Sequence, residues 1–351
     1  MKNKRKAAPM AAAAIDYSTL SDFLERFPTK RVVSFGDWVA DEFQFGEIAR
    51  VSREAPVLIL RHRETQLVPG GGANAANNLA DLGARVYPVS AVGDDAAGDA
   101  LIEYFRGKRV DVSGIVRVRG WTTPVKARFL AGWPHTKPQQ VLRVDREPQS
   151  ELPEGARRKI DQKLRERLRA ADALAISDYA LGVAKPQAVL DALHKSKRKF
   201  ITTLDARYNL RAYAGVGILA ATPNEAELEA LHHTSIGRNL AELERCGRET
   251  LQDLKLQSLL VTRGRDGMAL FEEGKVTEHI AIHGSDQAVD VTGAGDTVLA
   301  AFTLALASGA GALEAAHLAS IAAGLVVMKR GTATAPRQEL QAAIRRGITG
   351  S

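Results

Sequence analysis

From about residue 83 the chain repeats one order: a short apolar run rich in β-branched residues, a turn of Gly, Asp, Asn or Pro, then a stretch with helical periodicity. Such alternation is the pattern of parallel strands joined by helical crossovers, and the crossovers cover both faces of the sheet. The predicted class is therefore α/β, a mainly parallel central sheet flanked by helices. Strands are predicted at Arg31 to Phe35, Val86 to Val92, Ala173 to Ser177, Phe200 to Leu204, Gly217 to Ala221 and Ser258 to Thr262. Open α/β sheets bind ligands at the carboxyl ends of their strands, which puts Asp37, Asp178, Asp205, Asn224 and Arg263 where a site would form.

Two stretches break the rhythm, about 39–68 and 123–144, and read as β-structure outside the main sheet. The expectation is a small discontinuous β lid that closes on substrate and excludes water; a pair of surface hairpins is the plainer alternative. Gly267 to Phe271 and Val276 to Ile282 read as a hairpin at one side of the main sheet. Residues 1–15 are predicted to be a flexible basic tail and 16–351 one domain that carries the lid. Pro9 interrupts the alanine tract of that tail, which lacks the apolar region of a signal peptide. Lys2, Lys4, Arg5 and Lys6 supply four of the +7 net charges, so the body keeps only +3. With no base-reading motif, nucleic acid is not an expected partner. Nor is a membrane, since no run of about 18 apolar residues occurs. Cys246 stands alone, which excludes an intrachain disulfide and fits a reducing cytoplasm.

The chemistry concentrates in Asp290-Val-Thr292-Gly293-Ala294-Gly295-Asp296-Thr, which opens an apolar helical run ending at Gly309. Glycines at a helix entrance let backbone N–H groups face an anion, and the helix dipole favours negative charge there. Asp296, beside that hole, is placed to take a proton from an attacking hydroxyl. Alone, the segment is also an ordinary helix start with an acidic first turn. Val298 occupies the third-glycine place of a dinucleotide fingerprint, and no Gly-Lys-Ser/Thr exists for a P-loop. A second glycine-rich entrance, Pro69-Gly70-Gly71-Gly72-Ala-Asn74, offers close backbone approach. Asn74 and Asp37 suit sugar hydroxyls, although turn glycines and a capping Asn explain the segment structurally. In Thr222-Pro-Asn224-Glu-Ala-Glu227 the spacing fits a capping box or a pair holding waters around Mg²⁺. Thr262-Arg-Gly264-Arg-Asp-Gly267 is a turn that could pass beneath a nucleotide or simply close a hairpin.

Together these segments resemble the ribokinase family, the PfkB carbohydrate kinases, over about residues 31–340. The pairing of Gly70, Gly71 and Asn74 with Asp290-x-Thr-Gly-Ala-Gly-Asp296 carries the likeness. Within that family Gly36-Asp37 with Asp41, Arg50 to Pro56, Gln139-Gln140 with Arg143-Val-Asp145, and Ser177-Asp178-Tyr179 are similar to kinases of D-glycero-D-manno-heptose 7-phosphate. The resemblance implies transfer of the γ-phosphate of ATP to the anomeric hydroxyl of that small sugar phosphate, giving a 1,7-bisphosphate. It implies Asp37, Gly70, Gly71, Asn74, Arg143 and Asp178 around the sugar and Lys126 or Arg128 at its phosphate. Asn224 and Glu227 would organise Mg²⁺ through water. Thr262, Gly264, Gly267, Ser320 and Gly324 would border adenine and ribose, with Asp290 and Thr292 also on the ATP side, the amides of Gly293, Ala294 and Gly295 as the anion hole, and Asp296 as general base. A monovalent cation and a homodimer formed through exposed lid edges are further expectations.

Three places depart from the family pattern: Leu181 replaces a common Lys, Asp205-Ala-Arg207 replaces Asp-Pro-Lys, and Ser320 stands where Asn is frequent. They keep two alternatives open, a kinase of another sugar or a nucleoside, and a sugar-binding regulator without catalysis. Some relatives fuse an adenylyltransferase; no His-x-Gly-His occurs in these 351 residues, so only the kinase step is expected.

Overall fold

The computed structural model describes residues 16–133, 136–196, 200–284 and 288–349. The predicted tail, 1–15, lies outside the described residues.

In chain order the strands are β1 (Arg31–Gly36), β2 (Trp38–Val51), β3 (Leu58–Gly71), β4 (Arg85–Gly93), β5 (Ile115–Val118), β6 (Val125–Gly132) and β7 (Gln139–Arg146). There follow β8 (Ala173–Asp178), β9 (Ile201–Ala206), β10 (Ala220–Ala221), β11 (Ser258–Thr262), β12 (Met268–Glu272) and β13 (Glu278–Ile280). The helices are α1 (Tyr17–Arg26), α2 (Gly72–Asp81), α3 (Ala96–Gly107), α4 (Glu154–Leu168), α5 (Pro186–Lys195), α6 (Glu225–His232), α7 (Leu240–Asp253), α8 (Ala294–Ala307), α9 (Ala312–Val326) and α10 (Arg337–Thr349).

Nine strands form the main sheet in the order β13-β12-β11-β10-β9-β8-β1-β4-β5, all parallel except the antiparallel β11–β12–β13 edge. Both faces are covered, so its central strands read as continuous apolar runs; β8, Ala-Leu-Ala-Ile-Ser-Asp, is buried at every position. Alternate side chains divide between two cores. Val32, Ala173 and Ala175 pack with α1, α2, α8, α9 and α10, whereas Val33, Phe35, Leu174 and Ile176 pack with α4, α5 and α7. The highly charged α4 buries only the stripe Ile160, Leu164 and Leu168 at four-residue spacing. In contrast α8 is buried along its length from Asp296 to Leu306, which fixes its N-terminus against the sheet edge.

The strand predicted at Gly217 to Ala221 pairs only over Ala220 and Ala221, because Gly215 and Gly217 take φ of +74° and +93° and carry the backbone out of the extended region. The predicted hairpin at the sheet margin is β12–β13.

A second sheet, β3-β2-β6-β7, draws on residues 38–71 and 125–146. Its β2–β3 and β6–β7 pairs are antiparallel and its β2–β6 pair parallel. The chain passes from β1 into this sheet through Asp37 alone and returns from β3 directly into α2 at Gly71, whose φ is +53°. The root of the small sheet is therefore built from the residues that open the glycine-rich helix.

Candidate active site

Gly293 caps α8 in a left-handed conformation, φ +79°, that an L side chain adopts only at a cost. The turn places Asp296 in the first turn of the helix, 3% exposed. Asn74 Nδ2 donates to Asp296 Oδ2 at 2.9 Å, and the Tyr179 hydroxyl donates to Oδ1 at 3.0 Å. Burial pushes the Asp296 carboxyl up to about 7, against the two donors and the Lys126 ammonium, which favour the charged form. A carboxylate balanced near neutrality at a helix start can take up and release a proton at working pH.

Each donor is itself held. Asn78 Nδ2 donates to Asn74 Oδ1 at 3.2 Å, and the Thr297 hydroxyl donates back to Asn78 Oδ1 at 2.9 Å, locking α2 to α8. Tyr179 begins the loop after β8, and Asp37 holds that loop. Asp37 Oδ2 accepts from the amides of Tyr179 (2.8 Å) and Leu181 (3.1 Å), and Oδ1 from that of Val183 (2.7 Å). Burial, then the neighbouring Asp178 charge, pushes Asp37 up to about 6. Asp178 accepts from the Ala180 amide (2.8 Å) and the Tyr213 hydroxyl (2.9 Å).

Two cavities meet here. The outer, about 390 Å³, has mainly apolar walls that include Thr262, Gly264, Gly267, Ala294, Ser320 and Gly324. The inner, about 380 Å³, is lined by Asp178, Tyr179, Asp205, Arg207, Glu227, Gly293 and Asp296 among others. Asn224, Thr262, Val291 and Gly295 border both. Asn224 and Glu227 form the capping box of α6, in which Glu227 Oε2 accepts from the Asn224 amide at 2.9 Å and Asn224 Oδ1 from that of Glu227 at 2.9 Å. Burial raises Glu227, and burial with the Glu227 and Asp296 charges holds Asp205 well above the usual carboxylate range. Among the described residues Arg207 is the single cation in the inner wall.

At the root of the small sheet, Asp41, 3% exposed, accepts from Arg128 Nη1 and from the Thr332 hydroxyl, each at 2.6 Å. Gly70 leaves room for this carboxylate, since a Cβ there would lie 2.6 Å from its Cγ. Lys126 Nζ stands 4.9 Å from the centroid of the Tyr179 ring. Asp290 accepts from the amides of Thr292 and Gly331, both at 2.9 Å, and so ties the α8 entrance to the segment that carries Thr332.

The geometry gathers most of the residues that the sequence singles out. Asn74, Gly293, Gly295 and Asp296 meet at one point; Asp178, Asn224 and Glu227 face the inner cavity; Ala294 and the five adenine-side residues line the outer. Asp37, Asp290 and Thr292 line neither cavity, and Asp37 spends both oxygens on backbone amides. Arg143, on β7, pairs with Asp145, its Nε donating to Oδ1 at 2.7 Å.

Residues 29–339 match the profile of the pfkB family carbohydrate kinases. The chain belongs to that family. It is 39% identical to the bifunctional protein HldE of Geobacter metallireducens over 307 residues, 87% of this chain and 61% of that protein. It is 36% identical to the bifunctional protein HldE of Hyphomonas neptunium over 334 residues, 93% of this chain and 66% of that protein. The chain thus spans less than two thirds of the length of these relatives. Its fold is similar to that of phosphofructokinase-2 from Escherichia coli in complex with potassium (TM-score 0.72, 19% identity, 91% of this chain and 99% of that one). It is similar also to Arabidopsis thaliana ribokinase complexed with ribose and ATP (TM-score 0.69, 20% identity, 90% and 99%).

As a pfkB-family kinase the protein uses ATP to phosphorylate a carbohydrate. Four residues of the site receive no role from the sequence: Asp41, Tyr179 and Arg207, which it shows only within motifs, and Thr332. Asp41 carries a signal, one of two adjacent acidic residues set between the apolar Trp38-Val-Ala40 and Phe43. Thr332 carries none, since its partner is 291 positions away.

Proposed function

We propose that this kinase transfers the γ-phosphate of ATP to the anomeric hydroxyl of D-glycero-D-manno-heptose 7-phosphate, with Asp296 as general base. The observation that carries the reading is the Asp296 carboxyl, buried, near 7, and set between two donors beside the left-handed glycine of α8. An anomeric hydroxyl is the most acidic of a sugar's hydroxyls, and a base near 7 takes its proton less uphill than an ordinary carboxylate would. The acceptor is supported by the heptose-kinase-like segments at 36–41, 50–56, 139–145 and 177–179 and by the identity to bifunctional HldE proteins.

In this reading adenine and ribose occupy the outer cavity beside Thr262, Gly264, Gly267, Ser320 and Gly324. The phosphates reach the inner cavity, where the amides of Gly293, Ala294 and Gly295 and the start of α8 receive their charge. Asp290 and Thr292 hold the shape of that entrance. Gly70, Gly71, Asn74 and Asp41 border the sugar, and Lys126, Arg128 and Arg143 supply charge for its 7-phosphate. Asp37 and Asp178 shape the 179–183 loop and are not assigned to the sugar. Arg207 balances charge developing on the transferred group. The sheet of 38–71 and 125–146 acts as the lid.

Mg²⁺ fits the inner cavity, because Asp205 and Glu227 are two part-buried carboxylates that face it, and burial with the Glu227 charge holds Asp205 above the usual carboxylate range. No group of three or more His, Cys, Asp or Glu among the described residues forms a cage, which suits an ion that keeps most of its waters. Bound there through Asn224 and Glu227, it would neutralise the phosphate oxygens. Glu227→Gln still accepts from the Asn224 amide, so α6 keeps its cap. The variant is expected to need at least about tenfold more Mg²⁺ for half-maximal turnover. An unaltered Mg²⁺ titration removes Glu227 from this role. Exchanging potassium for tetramethylammonium in the same assay reads the monovalent-cation dependence.

The homodimer is proposed through β7, an edge strand with Leu142 and Val144 exposed by 54% and 42%. Sedimentation at micromolar concentration is expected to give a dimer, and Leu142→Glu a monomer; a monomeric parent protein contradicts the assignment. A kinase drawing on ATP with no helix among the described residues able to cross a membrane fits the cytoplasm. Screening ATP consumption against sugar phosphates, free sugars and nucleosides tests the acceptor class. Turnover confined to a free sugar or a nucleoside would overturn it.

A further inference from the structure

We propose that Tyr179 is the positioning residue of the catalytic base, donating its phenol O–H to Asp296 Oδ1 so that the carboxylate stays aimed and ionised in the buried site. The inference rests on the reading of Asp296 as general base.

Each carboxylate oxygen of Asp296 has one donor, Asn74 Nδ2 on Oδ2 and the Tyr179 hydroxyl on Oδ1. A carboxylate oxygen accepts two hydrogen bonds, so each retains a lone pair for a substrate hydroxyl. The two donors prevent rotation about the carboxyl bond, and both favour the ionised form over the neutral acid. Burial and the Asp41 charge on β2 oppose them, while Lys126 on β6 assists. Asp205 at the end of β9, Glu227 on α6 and Arg207 face the same cavity. Burial beside Asp296 and Asp205 keeps the Tyr179 phenol protonated, so it remains a donor throughout the working range.

The loop around Tyr179 is built to deliver this one hydroxyl. Asp37, which lines neither cavity, holds the amides of residues 179, 181 and 183, and Asp178 holds that of Ala180, whose φ is +58°. A non-glycine residue in that conformation is strained unless its surroundings enforce it. The ring is seated on Gly71, where a Cβ would stand 3.3 Å from Tyr179 Cε2, and beneath the Lys126 ammonium. A buried acid, a strained backbone and a glycine at the root of the small sheet thus share one consequence, the place of the Tyr179 oxygen.

The test is the pH profile of kcat/KM for the parent, Tyr179→Phe and Asp296→Asn, with melting temperature and ATP affinity measured on each. Loss of one donor to a buried carboxylate is expected to move the acid limb of Tyr179→Phe up by about one pH unit, a roughly tenfold loss below the limb. Much of the turnover should return at pH 9, with ATP affinity unchanged. Replacing Tyr179 by 3,5-difluorotyrosine, a stronger donor, is expected to move the limb down, which a merely structural ring would not do. An acid limb that coincides with the parent's in both substitutions, while Asp296→Asn is inactive, overturns the role of Tyr179 and leaves the base in place. An active Asp296→Asn overturns the base, and Tyr179's role with it.

Discussion

Asp296→Asn is expected to lower turnover by at least about a hundredfold while fold and ATP binding persist. An amide has the shape of the carboxylate, and its oxygen can still accept from Asn74 Nδ2 while its nitrogen faces the Tyr179 hydroxyl, an acceptor as well as a donor. What the amide lacks is the ability to take a proton. The same variant carries a stability signature. The folded protein holds Asp296 near 7 against an ordinary value of 3.8, so ionising it in the native state opposes folding as pH rises through that window. The parent is therefore most stabilised by this group below about pH 4 and loses that contribution by pH 7 to 8, whereas the asparagine variant has no such dependence. The difference in stability, variant minus parent, is expected to grow in the variant's favour by on the order of 4 kcal/mol across the window, as read by denaturant unfolding at several pH values. A pH-independent difference would mean that Asp296 is not a desolvated carboxyl.

Gly293→Ala is the second large effect. Alanine at φ +79° costs about 1–2 kcal/mol in backbone strain, and its Cβ would lie 2.5 Å from Asn74 Nδ2 and 3.2 Å from Thr332 Cγ2. Relief requires Asn74 to leave Asp296 and Thr332 to shift from Asp41, so one methyl group disturbs the base, the α8 entrance and the root of the small sheet together. Turnover is expected to fall at least about tenfold, because the base and the anion-facing amides lose their common geometry. Measured kcat at the parent's level would show that the Asn74 contact is dispensable.

The residues that the sequence made legible are those governed by local rules. A three-residue spacing is enough to predict the Asn224–Glu227 capping box, and a run of glycines before an apolar helix is enough to predict the α8 entrance. The main sheet was legible as short continuous apolar runs separated by helical stretches, because both of its faces are buried. The choice between Asp37 and Asp41 was not legible. Asp37 sits between β1 and β2, where the chain changes sheets and alternation no longer fixes the direction of a side chain, and its partners lie more than 140 positions away. Asp41, inside β2, points among Arg128, Thr332 and Gly70. The role of Tyr179 was illegible for the same reason as that of Asp37, since the 179–183 loop has no period and owes its form to distant groups, the Asp37 carboxylate and the Arg157 guanidinium.

The most direct test of the central claim is ³¹P NMR of the product formed from ATP and D-glycero-D-manno-heptose 7-phosphate. A new phosphate resonance on the anomeric carbon is expected beside the retained 7-phosphate, formed by the parent and absent with Asp296→Asn. No heptose bisphosphate, or phosphate placed on a hydroxyl other than the anomeric one, would contradict it.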